Sequence, residues 1–166
     1  MLQRDLKFLI TAIPIIALAA VAPTPSPAAQ AGYATMKDLA LMLMLPAAAL
    51  LLAMSLWHQL RGNTRLAGAV WRGAGAGALA TLALEAIRYP GFRLGFMPGN
   101  LPELMGVLLL DRFAAGPSTA SNVAGFTYHF WNGASFGILF SVIMEGLSLR
   151  RFKTWAAIYG WCADRN

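Results

Sequence analysis

Long apolar runs, separated by short segments rich in charge, glycine or proline, dominate the chain. A helix needs about 20 predominantly apolar residues to cross the roughly 30 Å of hydrocarbon in a bilayer. Residues 39–57 form a run of about that length without a charge, whereas 66–87 and 123–144 are as long but contain polar positions. With the apolar run at 6–22, the pattern predicts an all-α fold, an integral membrane bundle of about four transmembrane helices.

The N-terminal segment, residues 1–31, permits two interpretations. Basic residues precede its apolar run and the small-residue pattern Ala29-x-Ala31 follows it, which is typical of a secretory signal peptide. The same segment would serve as a signal anchor if it is retained, and three transmembrane helices remain if it is cleaved. Residues 32–166 form a membrane helical domain in either case. The proline-rich stretch 23–34 predicts an extended linker.

Between the last two apolar runs, residues 88–122 are predicted to form an outer cap. Within it Asn100 is a favourable N-cap, and the proline and glutamate that follow suit a first helical turn. The apolar part of that helix is too short to cross a bilayer. We therefore expect a re-entrant or interfacial helix near 101–113.

Nine of the 13 lysines and arginines lie at the N-terminus, in the loop after the second apolar run and in the C-terminal tail. All three segments fall on one side of a four-helix bundle, and the positive-inside rule makes that side cytoplasmic. We therefore expect a bacterial inner-membrane protein with its basic loops and C-terminus in the cytoplasm and residues 88–122 outside.

Composition supports the same interpretation. The 166-residue chain is 58% hydrophobic and 12% charged, whereas about a quarter of a soluble domain is charged. The net charge of +6 is dispersed between apolar runs rather than gathered with aromatic residues, so we expect the lipid bilayer as a partner and no nucleic acid. The single cysteine, Cys162, excludes an internal disulfide and a cysteine-cluster metal site.

Residues spaced four apart lie on one helix face, and this step traces a ridge of small residues through each of the last two apolar runs. Such ridges let helix backbones approach closely in lipid, so we expect the two helices to cross near Gly77 and Gly133. The first ridge comprises Ala69, Gly73, Gly77, Thr81 and Glu85, and the second comprises Gly125, His129, Gly133, Gly137 and Ser141.

Each ridge also carries one ionisable residue. Helical side chains lean toward their own N-terminus, which inclines Glu85 and His129 toward each other across the crossing, with Thr81, Tyr128 and Asn132 nearby. Polar groups in an apolar layer are costly and are usually paired. The pair would serve as a structural hydrogen bond, as a proton relay based on a side chain that titrates near neutral pH, or as a ligand to metal or haem through His129. No cofactor is predicted and no metal site is assigned.

A second candidate site lies in the outer cap. The N-terminus of a helix offers free amides to an anion, and arginines nearby would strengthen such a site. Its residues are Asn100, Glu103, Arg88 and Arg93.

Three motifs in residues 68–146, "GAGAGALATLALE", "PELMG" and "HFWNGASF", resemble uncharacterised bacterial polytopic inner-membrane proteins of unknown function. Those proteins usually continue into a further span through W-x-x-x-Y-G. Here "WAAIYG" at 155–160 is followed by only a few residues, so the resemblance leaves two alternatives, a complete member of that group or a shortened one that needs a partner. It implies no catalytic residues.

Two functions are therefore expected from the sequence. The first is a structural or accessory subunit of a membrane complex, or a minor transporter, associated with other membrane subunits or in a homo-oligomer. The alternative is a cofactor-binding or catalytic membrane protein that uses the buried Glu85 and His129. The P-loop, H-E-x-x-H and G-x-S-x-G motifs, which are typical of soluble enzymes, do not occur. Whether the chain is an enzyme of another kind stays open.

Overall fold

The computed structural model describes the backbone of residues 2–147 and the side chains from residue 6 onward. Every regular element in this range is helical and it contains no β-strand, which confirms the all-α prediction for this part of the chain. The elements are α1 Leu2–Val21, α2 Pro25–Gln30, α3 Met36–Leu39, a π-helical turn Ala40–Met44, α4 Leu45–Leu60, α5 Thr64–Arg93, α6 Leu101–Leu109 and α7 Thr119–Gly146.

Hydropathy identifies one of the four expected spans. Between residues 2 and 147, only the continuous helix Met36–Leu60 combines the required length and hydropathy, with a mean hydropathy of 2.4, and the apolar stretch Leu6–Val21 is shorter. Helices α5 and α7 are long enough, at 30 and 28 residues. Their inward ridges of glycine and polar residues lower the average, because mean hydropathy does not distinguish the two faces of a helix.

The four longest helical segments alternate in direction around one apolar core. Helices α1 and α5 each pack against both α4 and α7. The end of α7 lies against the start of α1, where Gly146 contacts Leu9 and Phe8, so α1 and α7 are antiparallel. The buried core consists of Phe8, Ala12, Ile15, Ala19, Leu51, Leu66, Ala69, Val70, Ile138 and Val142.

Side-chain caps fix where the two longest helices begin. The side chain of Asn63 accepts a hydrogen bond from the backbone N–H of Leu66 at the start of α5. At the start of α7, Ser118 and Ser121 form a reciprocal capping box. Both caps satisfy backbone donors that have no partner inside the helix.

A π-helical turn accommodates Pro46, which is expected to kink its helix. Proline has no N–H, so a carbonyl one turn earlier loses its partner. Just before this position, the N–H of Leu45 bonds to the carbonyl of Ala40, five residues back. The helix therefore continues through the proline with a local π turn.

Glycine backbones of α5 and α7 touch where the helices cross. A Cβ placed on Gly77 would meet the carbonyl of Gly133, and it would lie 3.0 Å from the Cα of Ala134. One turn away, a Cβ on Gly73 would lie 2.8 Å from the Cα of Ile138. Neither position has room for a side chain, so the crossing depends on glycine.

Gly125 belongs to a different contact from the one expected. The sequence ridge assigns it to the α5 crossing, but a Cβ on Gly125 would meet the carbonyl of Pro102 and lie 2.8 Å from the backbone nitrogen of Gly106. The reason is that α6 carries its own small-residue step, Pro102 and Gly106, which packs antiparallel along the first half of α7. The helix expected near 101–113 ends at Leu109. It packs against α7.

Two segment boundaries also differ from expectation. The stretch 23–34, predicted as an extended linker, contains α2, whose first turn tolerates proline because its N–H groups have no helical partners. Helix α5 continues past residue 87 to Arg93, so the outer cap 88–122 begins with helix. The missing N–H of Pro90 removes only one hydrogen bond close to the helix end.

Two glycines on α5 allow the crossing to be tested with a matched control. We expect Gly77→Ala to lower the free energy of unfolding by about 1–3 kcal/mol, because its Cβ overlaps the backbone of α7. A Cβ on Gly75 meets nothing within 4 Å, so Gly75→Ala should be neutral or raise stability by up to about 1 kcal/mol through helix propensity. Equilibrium denaturation of the purified variants would measure both, and equal effects would contradict the crossing.

Candidate functional site

A buried ion pair on the last turns of α5 forms the centre of the polar cluster. Both oxygens of the Glu85 carboxylate accept hydrogen bonds from Arg88, from Nε to Oε1 and from Nη2 to Oε2, each at 2.6 Å. The spacing of three residues places both side chains on the same helix face. Such two-point contacts between guanidinium and carboxylate are stronger than single hydrogen bonds.

His129 approaches the same carboxylate from α7. Its Nε2 lies 2.9 Å from Oε1 of Glu85, so the structure brings together the two ionisable residues of the ridges. The direction of the ring N–H is not aligned with the oxygen, and Nε2 has no hydrogen-bond partner by geometry. The contact is therefore a close electrostatic approach between α5 and α7.

Asn100 joins the loop before α6 to this cluster. Its Oδ1 accepts a hydrogen bond of 3.0 Å from Nη2 of Arg88. The side chain consequently does not cap α6, although Asn100 occupies the N-cap position. The cluster thus connects three segments of the chain, α5, the loop after it and α7.

The anion site expected in the outer cap does not form as one group. Arg88 is committed to Glu85 and Asn100, since a buried cation is stabilised most by a buried carboxylate nearby. Across residues 6–147, no hydrogen bond or ion pair links Arg93 or Glu103 to these residues, and Arg93 is exposed. Arg88 and Asn100 are therefore engaged with each other, and anion binding in the outer cap stays a prediction.

The cluster is almost fully enclosed. Glu85 is 7% exposed and Arg88 is 8% exposed, and Nη1 of Arg88 is buried without a hydrogen-bond partner. Two opposite charges in contact offset much of the cost of removing each from water, whereas one of them alone would be strongly destabilising. The pair is therefore stable only as a unit.

The other residues expected around the pair, Thr81, Tyr128 and Asn132, form no hydrogen bond with it in the described part of the chain. Thr81 donates to the carbonyl of Gly77 at 2.9 Å, and its side chain lies against Gly133 at the crossing. The hydroxyl of Tyr128 and Oδ1 of Asn132 are buried without hydrogen-bond partners. The protein itself therefore does not use the hydrogen-bonding capacity of these two atoms.

No cluster with the usual composition of a metal site occurs in the described part of the chain. Between residues 2 and 147, no group of three or more histidine, cysteine, aspartate and glutamate residues could hold an ion. His129 has a single carboxylate beside it, and that carboxylate is engaged by Arg88. Metal or haem binding at His129 stays a hypothesis.

A second charged cluster, which the sequence did not single out as a site, lies at the opposite end of the bundle. Glu145 of α7 pairs with Arg65 at 3.0 Å and with Arg72 at 3.5 Å. Arg65 also donates to the carbonyl oxygen of Glu145 at 2.7 Å and lies over the ring of Phe8, 4.5 Å from its centroid. The sequence feature that could have identified this cluster is the spacing of Arg65 and Arg72. They are seven residues apart, which places them two turns apart on one face of α5.

Comparisons with protein-family models, with curated proteins and with solved structures found no match to this chain. The resemblance of residues 68–146 to uncharacterised inner-membrane proteins therefore stays a prediction.

The mutual dependence of the buried charges gives a testable outcome. We expect Glu85→Gln to lower stability by about 3–5 kcal/mol, because it leaves the Arg88 guanidinium buried without a counter-charge. The double variant Glu85→Gln with Arg88→Met removes both charges and should lose less than Glu85→Gln alone. Denaturation curves of the wild type, Glu85→Gln and the double variant decide the matter, and a double variant less stable than Glu85→Gln alone would refute the coupling.

Proposed function

We propose that the protein is an integral membrane protein whose four long helical segments span the bilayer, and that it acts as a structural or accessory subunit of a membrane complex. The observation that carries the proposal is the distribution of side chains. Among residues 6–147, the charged pair Glu85 and Arg88 is buried inside the bundle, whereas many large apolar side chains are exposed on its outer surface.

Outward-facing apolar side chains occur on each of the four segments. Ile10 on α1, Met42 in the π turn, Leu79 on α5 and Phe140 on α7 are all more than half exposed. A soluble protein rarely exposes so extensive an apolar surface. The buried polar residues are Ser55, Thr81, Glu85, Arg88, Ser121 and Ser135, as expected where lipid surrounds the bundle and polar groups must be satisfied within it.

The orientation follows from the charges at one end. Arg65 and Arg72 pair with Glu145 there, and the guanidinium of Arg61 lies 4.4 Å from the ring centroid of Trp57. Arginine and tryptophan are enriched where a bundle meets the headgroups, and the basic end faces the cytoplasm. On this basis, α6 and the loops around it are extracytoplasmic in a bacterial inner membrane.

The packing of α1 supports the signal-anchor interpretation of residues 1–31. Ala12, Ile15 and Ala19 are 0% exposed and lie in the same core as α4, α5 and α7. Removing α1 would expose that core along its whole length, because α1 packs against both α4 and α7. The retained helix therefore acts as one of the four spans.

The geometry of the polar cluster favours a structural role over a catalytic one. Both carboxylate oxygens of Glu85 are occupied by Arg88, and Arg88 also holds Asn100. A general base must reach the proton that it removes, and the Glu85 carboxylate is 7% exposed and held by Arg88 inside the protein. The cluster instead holds α5, α7 and the loop before α6 in one arrangement.

A groove of about 710 Å³ along the α5–α7 crossing supports association with another membrane subunit or a second copy. Exposed Ala76 and Ala80 line it, and it is flanked by exposed Leu84, Phe136 and Phe140. Small residues between larger ones allow close approach of another helix, which is how helices associate in lipid.

A cofactor-binding or catalytic role is the second candidate, with a minor transporter that relays protons through Glu85 and His129 as a variant of it. It is favoured by the Tyr128 hydroxyl and Asn132 Oδ1, which are buried without hydrogen-bond partners on the helix that carries His129. Under this candidate the purified protein binds a chromophore or a metal, or conducts protons. His129→Ala abolishes that property. Under the structural proposal, that substitution only weakens the packing of α5 and α7. An absorption spectrum and a metal analysis, each with and without the substitution, separate the two.

Membrane integration and orientation are tested together by cysteine labelling. In a Cys162→Ser background, Phe96→Cys in the loop before α6 and Leu60→Cys at the basic end are both highly exposed, at 81% and 85% in the native residues. We expect a membrane-impermeant maleimide to label Phe96→Cys in intact cells and Leu60→Cys only after permeabilisation. Equal labelling of both before permeabilisation, or recovery of the protein in the soluble fraction, would contradict the proposal.

A further inference from the structure

A lateral cavity of about 530 Å³ separates the helix Met36–Leu60 from α6 and α7. It exists because α4 and α7 are held together mainly through α1 and α5, which each pack against both of them. The volume lies within the range of pockets that enclose small ligands. Its walls are largely apolar and include Ala48, Leu52, Leu109 and Trp131.

The long dimension of the cavity matches one leaflet of a bilayer. It extends along one helix from Lys37 to Leu52, which at 1.5 Å per residue is about 22 Å. A bilayer is about 40–45 Å thick with its headgroup regions, so one leaflet occupies roughly 20–22 Å. The Lys37 end lies at the α6 side of the bundle, opposite the basic end.

Polar groups are restricted to the outer part of this cavity. Lys37 is exposed at the mouth, and it is the one basic or acidic residue of the described lining. The neighbouring Asp38 is exposed and lies outside the lining, and its carboxylate accepts a hydrogen bond of 2.8 Å from Thr35. Tyr128, 2% exposed, lines the wall with a hydroxyl that has no hydrogen-bond partner. The inner end near Leu52 and Trp131 is apolar.

The π-helical turn contributes directly to the wall. Its residues Ala40, Leu41 and Met44 line the cavity. A π turn inserts one extra residue into the helical repeat and is often found at functional sites. Here the π turn lies at the Lys37 end of the cavity, in the part of the helix that forms its wall.

We propose that this cavity holds one acyl chain of an anionic phospholipid from the outer leaflet, with the lipid phosphate at the ammonium group of Lys37. The inference rests on the membrane location proposed above. The apolar walls accommodate the chain, the length corresponds to one leaflet, and the cation at the mouth selects a negative headgroup.

The probe for the test is phosphatidylglycerol, with phosphatidylcholine as the lipid of zero net charge. Purified full-length protein is incubated with each lipid, and the retained lipid is counted by native mass spectrometry. The wild type should retain one phosphatidylglycerol. Ala48→Phe, which fills the cavity, should reduce retention about tenfold. Lys37→Gln should remove most of the preference for phosphatidylglycerol over phosphatidylcholine.

Two matched controls isolate the cavity. Ala80→Phe fills the groove on the α5–α7 face instead, and Arg93→Gln removes an exposed positive charge outside the cavity lining. Both should retain phosphatidylglycerol as the wild type does. Because Lys37 is exposed, Lys37→Gln tests the headgroup contact even if Ala48→Phe does not fold, which circular dichroism would reveal.

Three results would overturn the lipid site. They are a wild type that retains no phosphatidylglycerol, a folded Ala48→Phe variant that retains it fully, and a headgroup preference that Lys37→Gln leaves unchanged. Cell fractionation of the wild type distinguishes this failure from failure of the proposed function. A membrane-integrated protein without bound lipid refutes only the site, whereas a protein in the soluble fraction refutes both.

Discussion

Contact between the glycine backbones of α5 and α7 is the constraint on which the rest of the structure depends. At Gly73 and Gly77 on one helix and at Gly137 on the other, a Cβ would collide with the facing backbone, and at Gly133 it would collide with the side chain of Thr81. Helices this close leave no space for large side chains between them, so those residues face outward. The same approach brings His129 to within 2.9 Å of the Glu85 carboxylate.

Charge clusters hold the α5–α7 pair at both ends. At one end Arg88 connects Glu85 of α5 to Asn100 in the loop before α6, and His129 of α7 approaches the same carboxylate. At the other, Glu145 binds Arg65, which also contacts α1 through Phe8. Helices in lipid gain little from burying apolar surface against each other. In the membrane location proposed above, close backbone packing at the centre, the approach of His129 to Glu85 and the ion pair of Glu145 with Arg65 supply the association instead.

Helical periodicity made part of this arrangement predictable. A step of four residues assigned Ala69, Gly73, Gly77, Thr81 and Glu85 to one face, and all five are buried. It also paired Glu85 with His129, since the direction in which helical side chains lean is a local property of the helix. Sequence alone thus specified the interior ridge of α5 and the central contact of the candidate site.

Features that depend on a third element were not predictable in the same way. Gly125 continues the α7 ridge in sequence, yet it packs against α6 because α6 presents Pro102 and Gly106 at matching spacing. Arg88 was assigned to an anion site, although its position three residues after Glu85 permitted the ion pair that forms. Proline content indicated disruption at Pro46 and in 23–34, but not whether it produces a π turn or the short helix α2.

The central claim is that the α5–α7 contact encloses polar side chains beneath an apolar surface in lipid. Nitroxide labels placed singly on α5 at positions 79, 81, 82 and 85, in protein reconstituted into liposomes, test it through their relaxation by oxygen and by a water-soluble nickel chelate. The account predicts high oxygen accessibility at Leu79 and Leu82, low accessibility at Thr81 and Glu85, and little effect of nickel at any of the four. Strong nickel relaxation at Leu79 and Leu82, or equal oxygen accessibility at all four, would contradict it.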